Sequence, residues 1–163
     1  MDSTDLELDH LLIWVAIDAP EQDELVKAGF KLDDEVNLHH GQGTASLTFS
    51  LENAYLELIW ITDEAVAVQA GQAIQTDLIA RSQWRATGAC PFGIALRRKT
   101  ASTESLPFAV HPFHAEWMRE NDMVLFSDSA SNLSAPLIFV IPPVMDWAMN
   151  NILIPRKLFW MKI

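Results

Sequence analysis

A carboxylate in the middle of an otherwise apolar strand constrains this chain more than any other feature. Glu57 lies in the run Tyr55-Leu56-Glu57-Leu58-Ile59-Trp60, preceded by an apolar stretch at 44–50 and by the turn His39-His40-Gly41-Gln42-Gly43. An ionised carboxylate in such surroundings needs a partner, a cation or a raised pKa, because burial penalises the charged form. The fold must therefore build a polar niche inside a sheet. The short link Leu51-Glu52-Asn53 suits a hairpin of strands 44–50 and 54–60, and the glycines before it permit positive φ or close approach of a ligand.

The remaining elements follow from periodicity and punctuation. Residues 6–17 alternate at first and then become continuously apolar, which predicts a strand entering a core, with His10 near its start. Pro20 opens a short helix that Gly29 closes, and a strand at 30–36 follows. Residues 63–87 read as one or two helices broken near Gly71. Strands at 91–97, 123–127 and 137–141, with a helix at 115–120, form a second set. The expected organisation is a single domain over 1–163, with module one at 5–62, a helical connection at 63–88, module two at 89–142 and a tail at 143–163. In that tail a short helix is expected at 146–153. Arg156, Lys157 and Lys162 interleave there with Leu158, Phe159, Trp160 and Met161, a pattern that suits packing on the body or on a second subunit, or a membrane surface.

Composition narrows the function classes. With 163 residues, half of them hydrophobic, the chain can bury one sizeable core. Its net charge of −11 comes without a dense basic run, so nucleic acid is not an expected partner. The single cysteine, Cys90, excludes an internal disulfide and suits a reducing compartment. No signal-like start and no apolar run of roughly 20 residues is seen, so a cytoplasmic protein without a transmembrane segment is expected.

Taken in order, Asp9-His10-Leu11, Gly29-Phe30, His40-Gly41-Gln42-Gly43-Thr44 and Tyr55-Leu56-Glu57-Leu58-Ile59 resemble the first module of the vicinal oxygen chelate superfamily, in its glyoxalase-like domain branch. The resemblance covers roughly the first 60 residues and reaches the second half by strand pattern alone. It implies an α+β fold of two βαβββ modules, as in glyoxalase, bleomycin-resistance and dihydroxybiphenyl-dioxygenase proteins, with a curved mixed sheet around a cleft. It also implies metal ligands on the first and last strands of each module, which places His10 and Glu57 in the first half. Those ligand types suit Zn, Fe, Mn, Ni or Co. The second half departs from the pattern, reading Cys90-Pro91-Phe92-Gly93-Ile94 and Leu137-Ile138-Phe139-Val140-Ile141 without imidazole or carboxylate. Two protein ligands fall short of the three usual in catalytic sites.

Three readings of His10 and Glu57 stand side by side: a structural hydrogen-bonded pair, a metal-free acid–base pair with Glu57 as base, and half of a metal site. A base next to a carbonyl would call for a raised carboxyl pKa. His40, Gly41 and Gly43 are candidates to bind an anionic or carbonyl ligand, with Trp14 and Trp60 as apolar walls and Trp84 as core. His111 and His114, spaced His-x-x-His, are weaker metal candidates, and Cys90 reads as structural. The expected function is binding or transforming a small apolar or carbonyl-bearing molecule; an enzyme of this kind would be a lyase, isomerase or dioxygenase. A non-catalytic binding or resistance-type protein, or a homodimeric partner-binding protein, is the alternative.

Overall fold

The computed structural model describes residues 5–33, 35–100 and 105–142. Its first half contains β1 (Leu6–Trp14), α1 (Gln22–Lys27), β2 (Lys31–Leu32), β3 (Asn37–His39), β4 (Thr44–Ser50) and β5 (Tyr55–Ile61). Three helices follow, α2 (Glu64–Ile74), α3 (Leu78–Ser82) and α4 (Trp84–Thr87). The second half supplies β6 (Phe92–Arg98), β7 (Val110–Phe113), β8 (Val124–Ser127), a 3₁₀ turn (Asp128–Ser131) and β9 (Leu137–Val140). Of the predicted strand at 30–36 only Lys31–Leu32 is strand among the described residues, the next strand starting at Asn37, and the expected tail helix at 146–153 lies outside the described residues.

All strands join one mixed sheet in the order β2-β4-β5-β1-β6-β9-β8-β7, with β3 also on β4. The two halves repeat the same wiring. β1 lies parallel to β5 as β6 lies parallel to β9, and β1 and β6 join the halves antiparallel. The hairpin of β4 and β5 pairs Thr48 with Glu57 and Ser46 with Ile59.

Alternation of side chains then separates two faces. On the inner face His10, Leu12 and Trp14 of β1 sit beside Glu57 and Ile59 of β5 and Ala95 of β6. α2 and α3 fill one end of this face, so Ala70, Ile74 and Leu78 share a core with Trp14, Ile59, Phe113, Phe126 and Phe139. On the outer face Leu25 of α1 packs against a second core that includes Leu47, Phe49, Leu58 and Trp60.

Two local expectations are corrected. Gly71 does not break a helix: it lies inside α2, where an added Cβ would come within 2.8 Å of the Thr76 carbonyl oxygen, and the chain leaves α2 at Gln75 in the left-handed region (φ 61°). Residues 115–120 form turns rather than a helix. Ala115 and Met118 are buried in the inner core, so packing decides the path there against a modest helical preference. Among the described residues no helix connects β6 to β7, and among them a helix lies on the outer face in the first half alone.

Candidate functional site

The polar niche forms where β1, β5 and the β3–β4 pair present side chains to the inner face. The β1–β6 register shifts between Leu8 and His10, a bulge that leaves Asp9 outside the regular pairing. Asp9 and His10 are both buried as a result, at 0% and 4% exposure. His10 Nδ1 lies 2.7 Å from Asp9 Oδ1, and its Nε2 lies 3.3 Å from Glu57 Oε2. The ring also stacks on Tyr55, with centroids 4.3 Å apart, and meets the edge of Phe139.

The chain of contacts continues in both directions. Asp9 Oδ2 accepts from Arg97 Nη1 of β6 at 3.2 Å, while Arg97 donates further to Glu7 at 2.8 Å and to the Asn53 carbonyl at 3.3 Å. On the other side Glu57 Oε1 faces His39 Nε2 at 3.7 Å. His39 is fixed by Thr44 Oγ1, 2.8 Å from its Nδ1, and by Ser46 Oγ, 3.4 Å from its Nε2. Arg97, Asp9, His10, Glu57 and His39 thus form a continuous buried series across the junction of the two halves.

Charge is distributed unevenly along it. Burial pushes the Glu57 carboxyl up, but the hydrogen bond and charge of His10, with His39 and Ser46, outweigh burial and bring it from 4.5 down to about 2. Burial lowers His10, and its hydrogen bonds to Asp9 and Glu57 and their charges raise it to a net value above 6.5. His39 stays below 6.5 because burial, with His10 and His40 nearby, outweighs the attraction of Glu57. The site therefore combines a carboxylate held in its charged form with one imidazole whose protonation is favoured, His10, and one whose protonation is disfavoured, His39. The raised carboxyl pKa wanted for a Glu57 base is replaced by a depressed one, since an imidazolium rather than empty apolar space faces the acid.

The other sequence candidates divide. His40 is exposed, and the imidazole that reaches Glu57 is its neighbour His39, because the β3–β4 register sets His39 opposite Thr44. Gly41 and Gly43 do adopt positive φ, 74° and 70°. An added Cβ on Gly43 would collide with the Asp63 carbonyl and lie 2.6 Å from the Ala67 nitrogen. The Gly43 carbonyl accepts from Thr62 and Asp63, so this turn is built to dock on the start of α2. Trp14 and Trp60 are 2% and 3% exposed and belong to opposite cores. Besides Tyr55 and Phe139 at His10, an aromatic neighbour of the niche is Trp117, whose ring lies 6.1 Å from His39. His111 bonds the Ile74 carbonyl and His114 the Asp122 carbonyl, so neither joins the niche. His39 was legible as a histidine beside the turn and Asp9 only as part of the Asp9-His10-Leu11 start of β1, with no role assigned to it, whereas Arg97 and Trp117 carried no motif that marked them.

The second half supplies no counterpart to the His10 and Glu57 pair. The partners of His10 and then of Ala95 across β6 and β9 are Ala95 and Phe139, both apolar. Among the described residues no group of three or more His, Cys, Asp or Glu side chains is placed to hold a metal ion. Nor, among them, is any helix long and apolar enough to cross a membrane.

Comparisons with known proteins agree with this architecture. The profile of the glyoxalase-like domain family matches residues 8–111. A hypothetical protein, BH1468, from Bacillus halodurans C-125 superposes with a TM-score of 0.51 at 16% identity, covering 83% of this chain and 93% of its own. Methylmalonyl-CoA epimerase in complex with methylmalonyl-CoA and NH4+ superposes with a TM-score of 0.52 at 17% identity, covering 85% and 94%. A point variant of the Streptomyces coelicolor epimerase in complex with 2-nitronate-propionyl-CoA gives 0.50 at 17% identity, covering 82% and 92%. No curated protein matches the sequence. With the profile spanning more than half of its length, the chain belongs to the glyoxalase-like domain family of the vicinal oxygen chelate superfamily.

Proposed function

We propose that the protein binds a small carbonyl-bearing organic molecule at the His10–Glu57–His39 niche and acts on it without a resident metal. The observation that carries this reading is one buried carboxylate flanked by two imidazoles whose protonation is pushed in opposite directions. A His10 imidazolium can donate to a carbonyl oxygen, and an uncharged His39 can accept a proton from the adjacent carbon, so the two halves of an enolisation have separate groups. Glu57, at about 2, is too weak a base for that task and serves to hold the His10 proton in place. Support of a weaker kind comes from the thioester ligands named for the structural relatives, which are carbonyl compounds.

The test is solvent deuterium incorporation next to the carbonyl of 2-oxo acids, 2-oxo aldehydes and acyl thioesters, followed by proton NMR. Wild type should accelerate exchange of at least one compound, and His39→Ala should abolish it while Trp117 fluorescence still reports binding. Binding without exchange would instead favour sequestration, the reading supported by the apolar filling of the inner face by α2 and α3. No response to any of these compounds overturns the proposal.

A further inference from the structure

The two halves of the sheet are covered unequally. In the first half Leu25 of α1 lies over the outer-face residues of β4 and β5. The second half repeats the strand wiring, but among the described residues it has no helix between β6 and β7. Its outer face carries Leu8 and Leu11 of β1, Phe92, Ile94 and Leu96 of β6 and Ile138 of β9, placed side by side by the registers Leu8 to Leu96, Leu11 to Ile94 and Ile94 to Ile138. Leu8, Leu11 and Phe92 are 40%, 43% and 49% exposed. A contiguous apolar strip of this kind in mid-sheet calls for a cover.

We propose that residues 143–163 of the same chain cover this strip, in the position that α1 takes on the first half. β9 delivers the chain to the strip: the Ile141 amide still donates to the Leu96 carbonyl of β6 at 2.9 Å, and Pro142, lacking an N–H, cannot extend the ladder. Twenty-one residues follow. The three strands β1, β6 and β9 span about 10 Å across the sheet, and an eight-residue helix is about 12 Å long, so the reach is ample. The composition matches as well, with Met145, Met149, Ile152 and Leu153 at helical spacing. The segment also carries Arg156, Lys157 and Lys162 against a single acid, Asp146, in a chain of net charge −11. The segment's charge is thus opposite in sign to that of the chain as a whole, which favours its docking over the approach of a second, net-acidic copy.

The decisive experiment places the photo-crosslinker p-benzoylphenylalanine at position 92 in the full chain, using a mixture of ordinary and heavy-isotope-labelled protein. Crosslinks from position 92 to peptides of 143–163, within one isotope type and in the monomer band, are expected. Crosslinks to 143–163 only between isotopes would mean exchange between copies, crosslinks to β1 or β6 of another copy would mean a face-to-face dimer, and none to 143–163 would mean an uncovered strip; each overturns the proposal. In parallel, Phe92→Asp should raise amide hydrogen exchange throughout 143–163 about tenfold while β5 keeps its protection. Unchanged exchange in 143–163 would overturn it too.

Discussion

His10 Nε2 lies 3.3 Å from Glu57 Oε2 while its Nδ1 lies 2.7 Å from Asp9 Oδ1, so a single imidazole is clasped between two carboxylates inside the sheet. Each carboxylate is held from behind as well, Asp9 by Arg97 and Glu57 by the His39–Ser46 side. The two carboxylates together favour the protonated form of His10 against the penalty of burial.

Stability should follow these ionisations with a defined sign. Glu57 is depressed from 4.5 to about 2, so its contribution is present above 4.5 and lost as pH falls through about 2. His10 is raised, so its contribution is complete below 6.5 and lost as pH rises through its folded value. His39 is depressed, so it acts in the opposite sense and its contribution fades as pH falls below 6.5. Urea titrations of wild type should show the acid loss between 4.5 and about 2, and Glu57→Gln should lack that limb and be less stable by about 3 kcal/mol at pH above 4.5. An acid limb of unchanged size in Glu57→Gln would refute the assignment.

Asp9 is predicted to control His10 from the side away from Glu57. After burial, its hydrogen bond is the largest influence on the imidazole and raises its pKa. In Asp9→Asn the shape of the bulge is kept and the negative charge is lost, so the His10 titration followed by NMR should move down, towards or below the ordinary 6.5. A His10 titration identical to wild type would show that the bulge matters only for packing.

Much of this site was readable before the structure because β1, β4 and β5 are long enough to display alternation. Glu57 and His10 stood out as polar residues in apolar strands, and the parallel β1–β5 pairing brings them together. The choice between His39 and His40 depended on β3, a strand of three residues, too short to show a period. Its pairing of His39 with Thr44 fixed which ring points inward. The role of Asp9 was hidden because a bulge, which alternation does not announce, turned it into the sheet interior. The turns at 115–120 were misread because tertiary contacts of Ala115 and Met118 overrode the local preference.

The turn at Gly43 offers a sharp contrast in tolerance. At φ 70°, an alanine would be strained by its backbone and would also drive its Cβ into the Asp63 carbonyl and the Ala67 amide at the start of α2. Gly43→Ala should cost about 3 kcal/mol from strain and overpacking combined. Gly29 has φ 92° but nothing within 4 Å of an added Cβ, so Gly29→Ala should cost only about 1 kcal/mol. Equal losses in thermal unfolding of the two variants would show that the contact with α2 contributes nothing.

Arg81 makes the remaining prediction, because its buried cation is satisfied entirely by oxygens of uncharged groups. It is fully buried, and its Nε donates to Thr76 Oγ1 at 3.0 Å. Nη1 reaches the carbonyls of Cys90 and Ala135, and Nη2 those of Ala130 and Asn132. One guanidinium thus ties α3 to the entry of β6 and to the loop before β9, at the end of the sheet where both halves meet the helical connection. Arg81→Leu would leave four carbonyls without that donor and should destabilise by about 4 kcal/mol. Arg81→Lys keeps the charge, but its ammonium cannot reproduce a planar fork with five bonds, so it should recover less than half of the loss in urea unfolding. A lysine variant as stable as wild type would mean that the charge, and not the geometry of the fork, holds these segments together.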